Sequence, residues 1–307
     1  GMKILVATEK PFAAAAVNGI KEIAATSGHE VALLEKYTEK EQLLAAVADA
    51  DAMIVRSDKV TAEVIAAAPK LKIVVRAGAG YDNLDLAACT ERGIVAMNTP
   101  GQNANAVAEL ALALMIFMSR NQFNPGTGSE ISGKRLGIQA YGNVGRLVAE
   151  KAKALGLSVT AFDPFVPAER MQEDGVVPAE SLEQMYSECD FISLHIPATP
   201  QTIASIGYDL ISRMPKGGCL LNTARKEVIN EAELVKVLED RPDIKYVADV
   251  APACQQELSE KFGRQVFATP KKMGAETAEA NINAGIAAAR QIAAYFSEGC
   301  TKFQLNK

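Results

Sequence analysis

The stretch Gln139-Ala-Tyr-Gly-Asn-Val-Gly145 has the residue types and spacing to hold a phosphate group. Gly142 would let the backbone approach a pyrophosphate, and Gly145 would let a helix pack closely against the preceding strand. The free N–H groups at the start of that helix would hold the anion. Ala140 stands where the usual GxGxxG pattern has its first glycine, and its methyl group tightens the turn.

An acidic residue follows this turn at the distance that a dinucleotide site requires, about 20 residues. Asp163 ends the next predicted strand and could accept hydrogen bonds from the adenosine ribose hydroxyls. Its charge would repel a 2′-phosphate, which favours NAD over NADP. The alternative is a turn-forming acid before Pro164. The residues predicted to bind the cofactor here are Ala140, Tyr141, Gly142, Asn143, Val144 and Asp163.

Composition excludes several other classes of protein. Apolar residues make up 49% and charged residues 22% of the chain, as in an ordinary globular protein with a core. The net charge of -5, without a basic cluster, gives no general attraction to nucleic acid. The five cysteines are scattered and form no CxxC pair, so we expect reduced thiols in a cytosolic protein and no metal site. No signal peptide or membrane span is expected, and Gly1 resembles a tag remnant.

Short apolar runs that alternate with helix-like segments must position these residues. Four runs precede residue 100 (KILVAT, AMIVR, LKIVVRAG, GIVAMNT), and six follow (RLGIQAYG, SVTAFDP, DFISLHIP, GCLLNTA, YVADV, QVFATP). Runs that are apolar throughout indicate parallel strands buried on both faces.

The pattern predicts an α/β fold with two doubly wound parallel-sheet domains, a flavodoxin-like substrate domain and a Rossmann NAD-binding domain. We expect the substrate domain to be discontinuous, with residues 1–100 and 286–307, and the NAD domain to cover residues 101–285. The Pro-, Gly- and Ser-rich loop over residues 122–134 is the clearest break in composition.

Several segments together resemble the D-isomer-specific 2-hydroxyacid dehydrogenase family. VVRAGAGYDNLDL resembles the family's substrate-side loop, and DFISLHIPATPQT and GGCLLNTARKEVINEAEL are similar to its last cofactor-domain signatures. NTPGQNANAVAELALALM is similar to the NxPxxNxxxVAE signature, with matches at Asn98, Pro100, Asn103 and Glu109. The resemblance covers nearly the whole chain in the expected order. It implies NAD-linked chemistry on a 2-hydroxy acid, and a homodimer built on the cofactor domain.

Within the family, VRSD near residue 55 is most similar to the short-form 3-phosphoglycerate dehydrogenase branch, and we expect no C-terminal regulatory extension. In that branch an arginine at the position of Arg56 helps to bind the substrate phosphate; the alternative is a solvated residue at a strand end. The resemblance assigns the substrate to Arg56, Ser57, Ala79, Gly80, Asn98 and Asn103. It assigns the rest of the cofactor contacts to His195, Thr223, Ala224 and Asp249.

The reaction that the resemblance implies needs a fixed cation and a group that moves a proton. Arg225 suits the first task, because its planar guanidinium is always charged, can bind a carboxylate through two hydrogen bonds, and can polarise the C2 oxygen. A surface ion pair is the alternative for Arg225. For the second task the family usually has a histidine directly after Thr-Pro, paired with a glutamate five residues beyond the Asp249 position.

Neither member of this histidine–glutamate pair is present. Cys254 stands at the glutamate position and Lys271 follows Pro270, while His195 looks like the family's cofactor-side histidine. Lys271 is therefore the predicted acid/base, although its place after Pro270 is all that separates it from Lys272.

A free lysine has a pKa of ~10.4, so action as a base near neutrality requires a drop of about 3 pH units, or ~4 kcal/mol. Burial, Lys272 and Arg225 would lower the pKa, whereas a glutamate would raise it. Loss of the glutamate together with the histidine is consistent with a basic lysine. Glu257 could still serve as a partner if its loop shifts, and Cys254 could itself titrate.

The expected function is NAD-dependent oxidation of D-3-phosphoglycerate to 3-phosphohydroxypyruvate, a step of serine synthesis, by a cytoplasmic homodimer. One alternative is a glyoxylate or hydroxypyruvate reductase of the same family. The other is a catalytically inactive NAD(H)-binding sensor or corepressor-like protein. No nucleic-acid or membrane partner is expected.

Overall fold

In the computed structural model, which describes all residues Gly1–Lys307, the chain divides into two compact units. The first comprises Gly1–Asn103 and Glu276–Lys307, and the second comprises Ala104–Ala275. Sequence analysis placed the borders at residues 100/101 and 285/286. The second of these would cut through one continuous helix, which explains why the unit border lies before that helix instead.

Strands and α-helices alternate along the chain. The strands are β1 (Lys3–Thr8), β2 (Glu30–Glu35), β3 (Ala52–Val55), β4 (Ile73–Arg76), β5 (Val95–Asn98), β6 (Arg135–Gln139), β7 (Ser158–Phe162), β8 (Val177–Pro178), β9 (Phe191–Leu194), β10 (Cys219–Asn222), β11 (Lys245–Ala248) and β12 (Val266–Ala268). The helices are α1 (Ala14–Thr26), α2 (Lys40–Ala46), α3 (Ala62–Ala66), α4 (Leu86–Glu91), α5 (Ala104–Ser119), α6 (Asn143–Ala154), α7 (Ala168–Glu173), α8 (Leu182–Glu188), α9 (Tyr208–Ile211), α10 (Glu231–Asp240), α11 (Gln255–Phe262) and α12 (Ala278–Glu298).

The first unit contains a parallel sheet in the order β2-β1-β3-β4-β5, which is the flavodoxin-like order that the sequence predicted. Helix α12 returns to this sheet from the far end of the chain and packs on α1. The two helices approach closely at Gly19, where an added methyl group would lie 2.8 Å from Ile286. Gln291 of α12 also donates a hydrogen bond to the Asn98 carbonyl (2.9 Å) at the end of β5.

The second unit contains a parallel sheet in the order β12-β11-β10-β9-β6-β7-β8. Relative to its own first strand β6, this is the doubly wound dinucleotide-binding order with one further strand. The order reverses between β6 and β9, and in such sheets a ligand binds outside the carboxyl ends of the strands at that point. Helix α5 packs on α6 and β10, so the loop over residues 122–134 lies inside this unit and not at its border.

All ten strands predicted from apolar runs are present, and the structure adds β2 and β8. Both lie at sheet edges. The residues of β2 are all exposed or partly buried, and β8 has only two residues. Neither strand contains a buried residue, so both lack the continuous apolar run by which the other ten strands were recognised.

No helix is both long enough and apolar enough to cross a membrane. All five cysteines are free, and no cluster of three or more His, Cys, Asp or Glu side chains could hold a metal ion.

The C-terminal tail covers the free edge of β5, the strand that ends in Asn98. Leu305 N–H donates to the Ala96 carbonyl (2.8 Å). The buried Asn306 side chain imitates a further strand residue: its Oδ1 accepts from Ala96 N–H (2.9 Å), and its Nδ2 donates to the Ile94 carbonyl (2.8 Å).

We expect Asn306→Ala to lower the free energy of unfolding by about 1–3 kcal/mol, because it leaves the Ala96 N–H and the Ile94 carbonyl without partners in a buried place. Chemical denaturation of the two proteins measures the difference. Lys307→Ala, at the exposed neighbouring position, is the control and should change stability by less than ~0.5 kcal/mol. An equally small effect of Asn306→Ala would show that the tail does not stabilise β5.

Candidate functional site

The predicted cofactor residues all follow strands of the second sheet. The connections are β6 to the turn at residues 140–142, β7 to Asp163, β9 to His195, β10 to residues 223–225, β11 to Asp249 and β12 to residues 269–272. Because the strands are parallel, these segments lie along the same edge of the sheet. The edge gathers residues that are far apart in the sequence.

The phosphate turn has an open middle and a tightly packed end. A methyl group added at Gly142 would meet no atom within 4 Å, so the backbone there is accessible to a ligand. A methyl group at Gly145 would collide with the Ala140 carbonyl, so only glycine fits where α6 begins. Asn143 and Val144 form the first turn of α6, whose N–H groups point toward an anion.

Ala140 has a left-handed backbone, with φ of 79°. This is the region that glycine adopts freely and that costs an alanine roughly 1–2 kcal/mol. Ala140 therefore keeps the backbone conformation that glycine would have in this turn, but with backbone strain.

The carboxylate of Asp163 is tied to this turn. Its Oδ2 accepts from Tyr141 N–H (2.8 Å) and its Oδ1 accepts from Phe165 N–H (2.9 Å). The second bond is the Asx-type turn that the alternative interpretation expected. A carboxylate has about four acceptor positions, so capacity for ribose hydroxyls remains. The Tyr141 side chain lies in the core with its hydroxyl bonded to Asp174 (2.7 Å), so only its backbone belongs to the turn.

Two further residues on this edge have unusual side-chain states. Burial lowers the pKa of His195 to about 4, so its ring is neutral at pH 7, and its Nε2 lies 2.8 Å from Ser193 Oγ. The Thr223 hydroxyl is buried and has no hydrogen-bond partner in the protein. A buried hydroxyl without a partner is rare and points to a ligand group that would complete it.

Arg225 has an exposed guanidinium whose Nε lies 3.4 Å from Glu227 Oε2. The ion pair that was the alternative for Arg225 is therefore present. Because 56% of its side chain is exposed, the pair is not a buried one and Arg225 stays accessible to an anionic ligand.

Asp249 is fully buried and organises the loop that carries the two lysines. Its Oδ1 accepts from the Thr269 hydroxyl (2.9 Å) and from Met273 N–H (3.0 Å), and its Oδ2 accepts from Gly274 N–H (2.8 Å). The cofactor contact that the resemblance assigns to Asp249 stays a prediction, and the contacts described here are those that Asp249 makes within the protein.

The structure separates the two lysines. The Lys272 ammonium donates to the Ala224 carbonyl (3.1 Å), next to Arg225. Partial dehydration, and then repulsion by Arg225, lower the pKa of Lys272, against smaller opposing effects of Asp249 and Glu227. Both lysine side chains are exposed, but the Lys271 ammonium makes no hydrogen bond or ion pair. Sequence position favoured Lys271, but the amine that reaches the Arg225 segment is that of Lys272.

The two other candidate partners lie apart from this arrangement. Burial and the neighbouring Glu231 raise the pKa of Cys254 to about 12, so its thiol stays protonated. Glu231 accepts from Cys254 N–H (2.9 Å). Glu257 is exposed on α11, and its carboxylate makes no hydrogen bond or ion pair.

The first unit presents the predicted substrate residues at the carboxyl ends of β3, β4 and β5. Arg56 donates to the Lys10 carbonyl (2.9 Å), and its guanidinium lies 5.5 Å from the Phe12 ring centroid. Ser57, Ala79 and Gly80 are exposed, and Asn103 is partly buried. Asn98 is buried and donates to the Ala79 carbonyl (2.8 Å), which orders the loop after β4.

Sequence reasoning missed two residues of this unit. Arg76 donates to the Gly80 carbonyl (3.0 Å), and burial together with the nearby Arg56 guanidinium lowers its pKa. The two guanidiniums are near enough to repel each other, an arrangement that suits a dianionic ligand. The buried Asp58 holds the Arg56 loop, because its carboxylate accepts from Glu9 N–H (2.8 Å) and Arg56 N–H (3.2 Å). The sequence carried a signal for each residue: Arg76 ends an apolar strand, and Asp58 is the acid of VRSD.

A doubly wound sheet with an open glycine turn at its reversal point, followed by an acid after the next strand, defines a dinucleotide-binding α/β protein. The sequence profile described as D-isomer specific 2-hydroxyacid dehydrogenase, catalytic domain, matches residues 6–306. The chain belongs to this family.

Relatives and solved structures agree with the family assignment. The D-3-phosphoglycerate dehydrogenase of Mycobacterium tuberculosis is 38% identical over 271 residues, which are 83% of this chain and 51% of that protein. The chain thus spans about half the length of this relative. The hydroxypyruvate reductase of Thermotoga maritima is 36% identical over 84% of this chain and 88% of its own. The crystal structure of NAD+-bound 3-phosphoglycerate dehydrogenase of Entamoeba histolytica is 49% identical, with a TM-score of 0.82, and the match covers 100% of this chain and 99% of that one.

We expect Ala140→Gly to stabilise the protein by about 0.5–1 kcal/mol, because relief of the left-handed strain exceeds the entropy cost of an added glycine. The matched control is Ala154→Gly on the right-handed backbone of α6, which should destabilise it by about 1 kcal/mol. Denaturant unfolding of both variants gives the comparison. A loss of stability in both would mean that Ala140 is not strained.

Proposed function

We propose that this chain is an NAD-dependent 2-hydroxyacid dehydrogenase that oxidises D-3-phosphoglycerate to 3-phosphohydroxypyruvate, with Lys272 as the acid/base. The observation that carries the proposal is the contact of the Lys272 ammonium with the Ala224 carbonyl beside Arg225. The names of the mycobacterial and Entamoeba relatives support the choice of substrate.

Residues of the second unit fit NAD. The backbone at Gly142 is open for the pyrophosphate, the first turn of α6 offers N–H groups, and Asp163 has spare acceptor capacity for the ribose. The unpartnered hydroxyl of Thr223 would gain a hydrogen bond from a bound ligand. When bound, NAD supplies the acceptor for the hydride. The protein orients it and excludes a 2′-phosphate through the charge of Asp163.

Two sets of cations fit the charges of 3-phosphoglycerate. Arg225 would bind the carboxylate and polarise the C2 oxygen, in exchange for part of its contact with Glu227. Arg56 and Arg76 would bind the phosphate, since a guanidinium pair neutralises a dianion better than one cation does. The Phe12 ring and the Lys10 carbonyl hold Arg56 in place.

Lys272 suits proton transfer because partial dehydration, followed by the repulsion of Arg225, lowers the pKa of its ammonium, and a lowered pKa favours the neutral amine that can accept a proton. In the oxidation direction the neutral amine takes the proton of the C2 hydroxyl. In the reduction direction the ammonium returns it. The oxidation rate should therefore rise with pH through the pKa of Lys272, and the reduction rate should fall through the same value.

We expect Lys272→Ala to lower kcat by at least ~10²-fold in both directions, since general acid–base groups contribute about 10²–10⁴-fold. The affinity for NADH, measured by fluorescence, should stay unchanged. Rates are measured as NADH consumption with 3-phosphohydroxypyruvate across pH, and Lys271→Ala is the matched control that should retain activity. Loss of activity in Lys271→Ala with an active Lys272→Ala would return the role to Lys271. NADH binding without turnover of any 2-oxo acid would favour the sensor function.

A second candidate function is reduction of hydroxypyruvate or glyoxylate, favoured by the similarity to the Thermotoga hydroxypyruvate reductase over most of both chains. The arginine pair of the first unit distinguishes the two, because an unphosphorylated acid has no group for it.

We expect Arg56→Ala to raise the KM for 3-phosphohydroxypyruvate by ~10–10²-fold, since a hydrogen bond to a charged group contributes about 1.5–3 kcal/mol. The KM for hydroxypyruvate should change little, and inorganic phosphate should compete only with the phosphorylated acid. Lys59→Ala, an exposed cation three residues away, is the control. Equal effects on both substrates would favour the reductase.

We also propose a cytoplasmic homodimer. The resemblance places the dimer contact on the cofactor domain, and the second unit exposes 71% of Phe123 on the surface loop after α5. The five unpaired cysteines accord with a reducing compartment.

A further inference from the structure

Residues 269–275 form the lysine loop, which carries Lys271 and Lys272. The buried carboxylate of Asp249 lies in direct contact with this loop. The side chain has no exposed surface, and both its oxygens accept hydrogen bonds from this loop. A buried carboxylate with several donors is a strong anchor, because each bond is charge-assisted and formed away from water.

Hydrogen bonds and close packing fix the loop backbone against the Asp249 carboxylate. Met273 and Gly274 present successive N–H groups to the carboxylate, at 3.0 Å and 2.8 Å. A methyl group at Gly274 would lie 2.9 Å from Asp249 Oδ2, closer than a carbon and an oxygen can approach. The Thr269 hydroxyl closes the other end of the loop on Oδ1. Lys272 lies between these two tethered ends.

We propose that Asp249 is the positioning residue of the lysine loop, and that its carboxylate holds Lys272 against the Ala224 carbonyl beside Arg225. This inference rests on the proposed role of Lys272 and differs from the cofactor contact that the resemblance assigns to Asp249. The carboxylate acts through the backbone of the loop and does not touch the substrate.

The charges around Lys272 make the proposal testable. Three charged groups face its ammonium: Arg225, Asp249 and Glu227. If Asp249 acted on Lys272 by charge alone, its removal would lower the pKa of the amine further. If Asp249 acts by position, its removal frees the loop, returns the amine to water and raises its pKa toward that of a free lysine. The two effects have opposite signs, and dehydration is the larger cause of the shift.

The first variant is Asp249→Asn. It keeps one carbonyl oxygen for Thr269 and Met273 but turns an NH₂ group toward the Gly274 N–H, so two donors face each other. The second variant is Gly274→Ala, whose methyl group disrupts the same contact without changing any charge. If both variants change the pKa of Lys272 in the same direction, the cause is the position of the loop and not the charge of Asp249. Gly274→Ala also keeps the test valid if Asp249→Asn does not fold.

The measurement is the pKa of Lys272 by competitive labelling with acetic anhydride across pH, with Lys271 and Lys272 resolved by fragment mass spectra. We expect the pKa of Lys272 to rise in both variants, while exposed Lys21 in the same samples stays unchanged. The affinity for NADH should change by less than about threefold, which is under 1 kcal/mol.

An unchanged or lowered pKa of Lys272 in Gly274→Ala would overturn the proposal. So would a loss of NADH affinity of more than about tenfold in Asp249→Asn with the pKa of Lys272 unaltered, because Asp249 would then be a cofactor contact. Labelling needs no turnover, so the result stands even if the protein oxidises no 2-hydroxy acid. Failure of the proposed reaction would instead appear as NADH binding without consumption.

Discussion

The parallel pairing of strands is the constraint on which the candidate site depends. A strand that enters a parallel sheet must return by a crossover, so every segment that follows a strand emerges at the same edge. The glycine turn after β6, Asp163 after β7, Arg225 after β10 and the lysine loop after β12 lie along one edge of the sheet for this reason. Their chemistry follows from the fold and not from closeness in the sequence.

Both units use the same physical device to fix a functional loop, a buried carboxylate that accepts backbone N–H groups at a strand end. Asp58 orders the loop of Arg56 through Glu9 and Arg56 N–H groups, and Asp249 orders the lysine loop through Met273 and Gly274. Such a carboxylate is neutralised mainly by dipoles, so a cation nearby gains less from it than from a free carboxylate. Lys272 can therefore lie close to Asp249 and still have a lowered pKa. Partial loss of water and then the repulsion of Arg225 lower this pKa by more than Asp249 raises it.

The phosphate turn illustrates how strain concentrates where a ligand is expected. Ala140 has a left-handed backbone that glycine would adopt without cost, while the carbonyl of Ala140 leaves no room for a side chain at position 145. The unpartnered hydroxyl of Thr223 lies on the same edge.

Sequence alone determined the class of fold, ten of the twelve strands, the dinucleotide turn with its acid, and the family. These features are local, because a strand buried on both faces must be apolar throughout and a phosphate turn needs glycine at fixed spacing. The tertiary structure decided the rest. It supplied the edge strands β2 and β8, the border before α12, and the arginine partner Arg76. It also distinguished Lys272 from Lys271 and revealed the contacts of Asp249. Two adjacent lysines have the same local sequence pattern and are both exposed. Only the contacts of each side chain with residues distant in the sequence make them chemically different.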